Sequence, residues 1–365
     1  MATRERVDPA APTQVSQSLE RRRTGRRRRQ LLVLGITVVA VGGTFAFLLP
    51  RIADYRDVWG IVRTLSWWKL LVLAAATTVN LATFAPSWMV ALPGLGFRHA
   101  FVLTQASTAS TYVAPGGAAP GMAVSYGILR TWGYGGRAVA LAVAVTGVWN
   151  QLAVFGFPVV ALGLLTLEGD RSDALRSVGA IGLAAFVVAV GAFALGLSSA
   201  RIARAVGDRA ARVVSALRRV ARKGRVDWSG AALVRFRAAT IELLRRRWHL
   251  LTLATLAGQL TVFLVLYASL RVLDVSSDDV TGIEAFAAWS LVRLLGSLPL
   301  TPGGVGIVEL GLTGLLVGFG GTQDEVVAAV LVYRFLTVVP TLTLGLAAAA
   351  IWRRQHPTAA ARAPR

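Results

Sequence analysis

Three charged residues stand where charge is costly: Arg293 in WSLVRLLGSL, Glu309 in GVGIVELGL and Arg334 in VLVYRFLTVV. A charge near the centre of a bilayer costs at least about 2.5–3.5 kcal/mol on insertion scales, so such residues usually face a bundle interior and mark a polar pathway. Two cations and one acid permit two kinds of chemistry. Glu309 and an arginine can form a structural ion pair, which gains little over apolar packing because desolvation opposes the attraction. Alternatively, the three groups can contact or gate a charged ligand. The roles are compatible, since a pair can lock one conformation of a carrier and open in another.

The elements that must position these charges carry a repeated signal. Pro115-Gly116-Gly117 and Pro302-Gly303-Gly304 each interrupt a long apolar stretch. Pro lacks a backbone N–H and clashes with the preceding turn, and Gly costs backbone entropy, so both sites break a helix. Freed backbone groups at membrane depth must be buried in protein or line a wet cavity. Matching breaks in two halves are the mark of a transporter-like inverted repeat with its site at the breaks. A half-helix starting after Gly304 points its positive end at the break, which favours an anion such as a lipid phosphate. Glu309, close to that helix start, either offsets the arginines or takes the amine of a zwitterionic or aminoacylated headgroup. In the first half, Asn150 and Gln151 stand about where Tyr333 and Arg334 stand in the second, Gln105 corresponds to Arg293, and nothing acidic follows Gly117. The second half is thus the one expected to handle charge. The glycines at 304, 306, 311, 314 and 318 are expected to serve close helix packing, with Gly314 and Gly318 in GxxxG spacing.

Composition makes the bilayer the solvent: 55% of residues are apolar, 16% are charged, and mean hydropathy is +0.60. Apolar runs long enough to cross give spans at 30–50, 67–92, 138–167, 177–197, 250–272 and 326–351, with the broken segments at 100–132 and 284–320. The expected fold is therefore an all-α integral membrane protein, with about six transmembrane helices and two re-entrant Pro-Gly-Gly broken helices in an inverted repeat. Its parts are a basic disordered cytoplasmic tail (1–29), a first transmembrane half (30–198), a basic cytoplasmic loop with an amphipathic helix (199–248), a second half (249–352) and a cytoplasmic tail (353–365). Arg and Lys favour the cytoplasm, and this arrangement puts all three arginine clusters on one side with both termini. A bacterial-type plasma membrane is the expected location.

Other functions find little support. The formal charge of +21 collects in those clusters. The stretch 201–223 has helical spacing suited to an anionic headgroup layer, and with almost no aromatic residues interleaved it argues against nucleic acid. His99, His249 and His356 form no metal-binding set, cysteine is absent, and no nucleophile motif, phosphate loop or paired carboxylates occur. No cofactor, metal or catalytic residue is expected.

The run Pro302-Gly-Gly-Val-Gly-Ile-Val-Glu309, then Gly318 to Gly321 and Tyr333-Arg334, resembles the flippase-like transmembrane region of lysylphosphatidylglycerol synthases and their stand-alone relatives. Pro115-Gly-Gly with Arg130 and Gly133 is similar to that family's first motif, without its acidic residue. The resemblance implies a chain that moves a phospholipid or lipid-linked headgroup between leaflets, without the soluble synthase domain. The expected contacts are Arg293, Pro302, Gly303, Gly304, Glu309 and Arg334, with Pro115, Gly116, Gly117, Asn150 and Gln151 from the first half. An accessory membrane subunit that recruits a separate synthase or glycosyltransferase is the alternative.

Overall fold

The computed structural model describes residues 60, 63, 65–114, 118–168, 173–201, 203–205, 208–209, 212, 215, 230–298 and 301–355. The tail expected at 1–29, the span at 30–50, Pro115, Gly116 and Gly117, most of the surface helix at 201–223 and the residues after 355 lie outside these.

All regular structure among the described residues is helical. Helix α1 (Trp67–Thr83) starts at Ser66, whose hydroxyl accepts from the Lys69 N–H. The run expected as one span at 67–92 bends at Phe84 into α2 (Ala85–Ala91), where Pro86 enters the first turn and cannot continue the hydrogen-bond ladder. Next come α3 (Phe97–Val113) and α4 (Ala119–Thr131), separated by the first break, and then the long α5 (Gly136–Glu168). α6 (Asp173–Ser198) contains the segment expected at 177–197. α7 (Gly230–Val272) has 43 residues, about 65 Å at 1.5 Å per residue, twice the hydrocarbon thickness. Residues 230–248, read from sequence as the end of a loop, are therefore helix continuous with the span. Arg237 in that extension donates to the carbonyls of Leu197 (2.8 Å) and Ser198 (3.2 Å), meeting the negative end of α6.

The second half follows the same order. α8 (Gly282–Gly296) opens with a capping box, in which Thr281 and Glu284 exchange backbone-to-side-chain hydrogen bonds. A tight turn (Pro302–Gly304), α9 (Ile307–Phe319) and α10 (Gln323–Gln355) complete it. Four described stretches are long and apolar enough to cross a membrane: Trp67–Ala91, Gly136–Leu167, Leu233–Val272 and Gln323–Ala348.

Packing interlocks the halves. α3 packs on α4 and α8 on α9, while α3 also lies along α10 and α8 along α5. Each half's arm ahead of its break thus rests on the long helix after the other half's break. Hydrocarbon rewards apolar burial less than water does, so close approach through small residues and interhelical hydrogen bonds carries more of the association. At Gly345 of α10, a Cβ would collide with Ala109 Cβ of α3 and lie 2.8 Å from the Gln105 carbonyl. Asn80 and Thr83 of α1 both reach Thr261 Oγ1 of α7, and Trp149 Nε1 donates to Thr252 at 2.9 Å. α8 is the centre of the bundle: its residues 285–292 are all buried. Phe286 and Trp289 meet Phe157 of α5 and Phe263 of α7 with ring centroids 5.2–5.8 Å apart. Of the glycines expected to pack, Gly311 does so: a Cβ there would lie 2.9 Å from Val292 of α8. Gly314 and Gly318 face open space, because α9 turns its other side to α8 and α10.

Candidate functional site

The second break is built by left-handed backbone. Gly303 (φ 61°), Gly304 (φ 68°) and Gly306 (φ 83°) occupy a region that costs other residues about 1–2 kcal/mol each. These residues reverse the chain between α8 and α9 and leave carbonyls and N–H groups needing partners. Glu309 Oε2 accepts from the Gly306 N–H at 2.6 Å, and Glu309 Oε1 takes Arg334 Nε at 2.6 Å. Arg334 Nη2 donates to the Gly303 carbonyl at 3.1 Å. One ion pair thus ties α10 to the turn and to the start of α9. Glu309 is 2% exposed and Arg334 8%. The positive end of α9 is met by its own acid, and both Glu309 oxygens are engaged; the amine or anion expected from sequence at this helix start finds these groups already paired.

Arg293 is placed differently. Its Nε (3.1 Å) and Nη2 (2.7 Å) both donate to Gln259 Oε1 of α7, and its guanidinium lies 5.9 Å from the Trp289 ring centroid. Gln259, fully buried, donates its own amide N–H to Asn150 Oδ1 of α5. A relay through three helices therefore fixes the arginine without neutralising it. Among the described residues Arg293 has no carboxylate partner, and its Nη1 has no protein acceptor.

Between the two halves lies a cavity of about 380 Å³, within the usual range for ligand pockets. Asn150, Gln151, Arg293, Gly303, Gly304 and Arg334 of the expected site line it, and so do Gln105 and Thr111 of α3. Glu309 lies behind Arg334 and does not line the cavity. Gln151 reaches Ser297 at 3.5 Å across it, so the paired amides of the first half do meet the second. Gln105 instead donates to the Leu81 carbonyl at 3.1 Å. Tyr112 ends α3 against the second break, where a Cβ on Gly303 would run into its ring. Arg293 and Arg334 supply the only full charges on the described wall; the rest is Ser, Thr, Asn, Gln, aromatic and aliphatic. Gln259 is the residue that sequence reasoning missed. Its signal was present, as a lone amide in LATLAGQLTVFLVL, the same kind of intramembrane polar residue that drew attention to Arg293.

Long apolar helices, two helix breaks and a polar cavity with a cationic wall define an all-α integral membrane protein. More particularly, the chain belongs to the lysylphosphatidylglycerol synthase TM region family, which it matches over residues 32–345. No curated protein matches the chain.

Proposed function

We propose that this protein carries an anionic lipid headgroup between leaflets through the central cavity, leaving the acyl chains in hydrocarbon. The observation that carries the reading is Arg293: a cation held by neutral amides, with an N–H that none of the described residues accepts, on the wall of a polar chamber between the halves. In that setting an anion supplies the missing counter-charge. The reciprocal packing of α3 on α10 and α8 on α5 supports an inverted repeat. The four arms beside the breaks have 17, 13, 15 and 13 residues, all below the about 20 that a crossing helix usually needs, which supports two re-entrant hairpins. With the arginine clusters inside, both termini are cytoplasmic in a cell membrane. The chain makes or breaks no bond in this scheme. The Glu309–Arg334 pair holds the second break in the conformation described, and its release would free the turn to move.

The test is leaflet exchange of fluorescent phosphatidylglycerol in reconstituted vesicles, followed by quenching of the outer leaflet. Exchange by the native protein that falls about tenfold or more in Arg293→Gln, with thermal stability unchanged, is the expected result. No exchange of any phospholipid by folded native protein would overturn the reading and favour an accessory subunit that recruits a separate enzyme.

A further inference from the structure

Trp289 of α8 carries a donor that the fold leaves unused. The residue is 1% exposed, and its ring packs on Phe157, Phe263 and Phe286 with centroids 5.2–5.8 Å apart. Packing of that kind needs only an aromatic ring, and phenylalanine would serve it. The indole Nε1–H has no hydrogen-bond partner among the described residues. Buried indole N–H groups usually find one, because a donor stripped of water and left unmade costs free energy. Trp289 lines the central cavity. Tyr333 of α10, 3% exposed, lines it too and stands among Trp289, Arg293, Arg334 and Tyr112. Its hydroxyl lies beside the indole N–H without completing a hydrogen bond to it.

We infer that the Trp289 Nε1–H and the Tyr333 hydroxyl join Arg293 as donors to the phosphate of a lipid headgroup. This rests on the carrier reading above and extends its anion site beyond one arginine. Trp289 and Arg293 are one helical turn apart, which puts both on one side of α8. The Arg293 guanidinium carbon lies 5.9 Å from the Trp289 ring centroid. At charge-assisted donor–acceptor distances of about 2.7–2.9 Å, the oxygens of a single phosphate can meet both groups. An indole N–H and a guanidinium donate and never accept. They therefore select an acceptor, whatever else the headgroup carries. The phosphodiester is the anionic acceptor that phospholipids share, so the site holds the phosphate and leaves the esterified alcohol free in the chamber.

The experiment measures exchange of fluorescent phosphatidylglycerol in reconstituted vesicles by native protein, Trp289→Phe, Tyr333→Phe, Arg293→Gln and Phe263→Leu, with a thermal melt of each. Phe263 belongs to the same aromatic cluster and does not line the cavity, so its variant reports packing alone. Trp289→Phe and Tyr333→Phe each keep a ring and lose one donor, and each should slow exchange about fivefold or more. Added to Arg293→Gln, Trp289→Phe should slow it less than about twofold further, because the donors serve one phosphate. Phe263→Leu should lower the melting temperature and leave the rate as in native protein.

Undiminished exchange in folded Trp289→Phe, with Arg293→Gln still slow, overturns the inference, assigns the indole N–H to water and leaves the carrier reading intact. Equal slowing in Phe263→Leu overturns it as well, since packing then explains the loss. No exchange by folded native protein overturns both readings. If Trp289→Phe does not fold, Tyr333→Phe, which loses only a hydroxyl, decides alone.

Discussion

Breaking the Glu309–Arg334 pair from either side should have unequal consequences. In Arg334→Leu, Glu309 keeps its charge at a position 2% exposed and retains one hydrogen bond, from the Gly306 N–H at 2.6 Å. The Gly303 carbonyl loses its donor as well. Removing one partner of a buried pair costs about 3–5 kcal/mol, so the folded-to-unfolded ratio should fall by two to three and a half decades. In Glu309→Gln, the amide oxygen still accepts from Gly306, and Arg334 still donates to Gly303 and borders the polar cavity. The loss is one charge-assisted hydrogen bond, about 1–3 kcal/mol. The double variant leaves no buried charge, and such replacements are often near neutral. Adding Glu309→Gln to Arg334→Leu should therefore recover the about 3–5 kcal/mol of the stranded charge, less about 1–3 kcal/mol for the Gly303 carbonyl that stays without a donor. Equilibrium unfolding in mixed dodecylmaltoside–SDS micelles, followed by far-UV circular dichroism, measures all four proteins. If Glu309→Gln costs as much as Arg334→Leu, or if the double variant costs the sum of the two, Glu309 is not the stranded charge and the reasoning fails.

Other outcomes follow from the same geometry. Gly303→Ala should lose about 1–2 kcal/mol to left-handed strain and more to the Tyr112 ring, with Tyr112→Leu recovering only the second part in a thermal melt. Gly345→Val should force α3 from α10 and cost about 1–3 kcal/mol, whereas Gly314→Val, with nothing within 4 Å, should stay within about 0.5 kcal/mol; the same melts separate them. Lys69→Met removes a 2.7 Å pair to Asp274 whose side chains are 32% and 75% exposed, so stability should change by less than about 1 kcal/mol, and less again in high salt. Gln259→Leu should leave Arg293 without its acceptor and slow lipid exchange more than Asn150→Ala, which acts one bond further away.

How far the fold could be read from sequence depended on the length of each signal. The runs at 138–167 and 326–351 gave α5 and α10 within a few residues, because thirty apolar positions leave little else for backbone to do in hydrocarbon. α7 continues about twenty residues ahead of the span expected at 250–272, through an Arg-rich stretch that reads as loop by polarity although its spacing suits a helix. Phe84 bends a run that hydropathy treats as continuous, because a window average is insensitive to where Pro86 falls.

By itself the sequence determined the solvent of this protein, the helical class, the two breaks and the residues that bear intramembrane charge. These follow from local chemistry: apolar length, the missing N–H of Pro, the absent Cβ of Gly and the cost of charge in lipid. Which charge pairs with which was decided only by tertiary structure. Glu309 and Arg334 are 25 residues apart and Arg293 and Gln259 are 34, so helices from different parts of the chain must pack before either contact exists. That packing spends Glu309 on Arg334 and the break, and leaves Arg293 on neutral amides with its charge turned to the cavity.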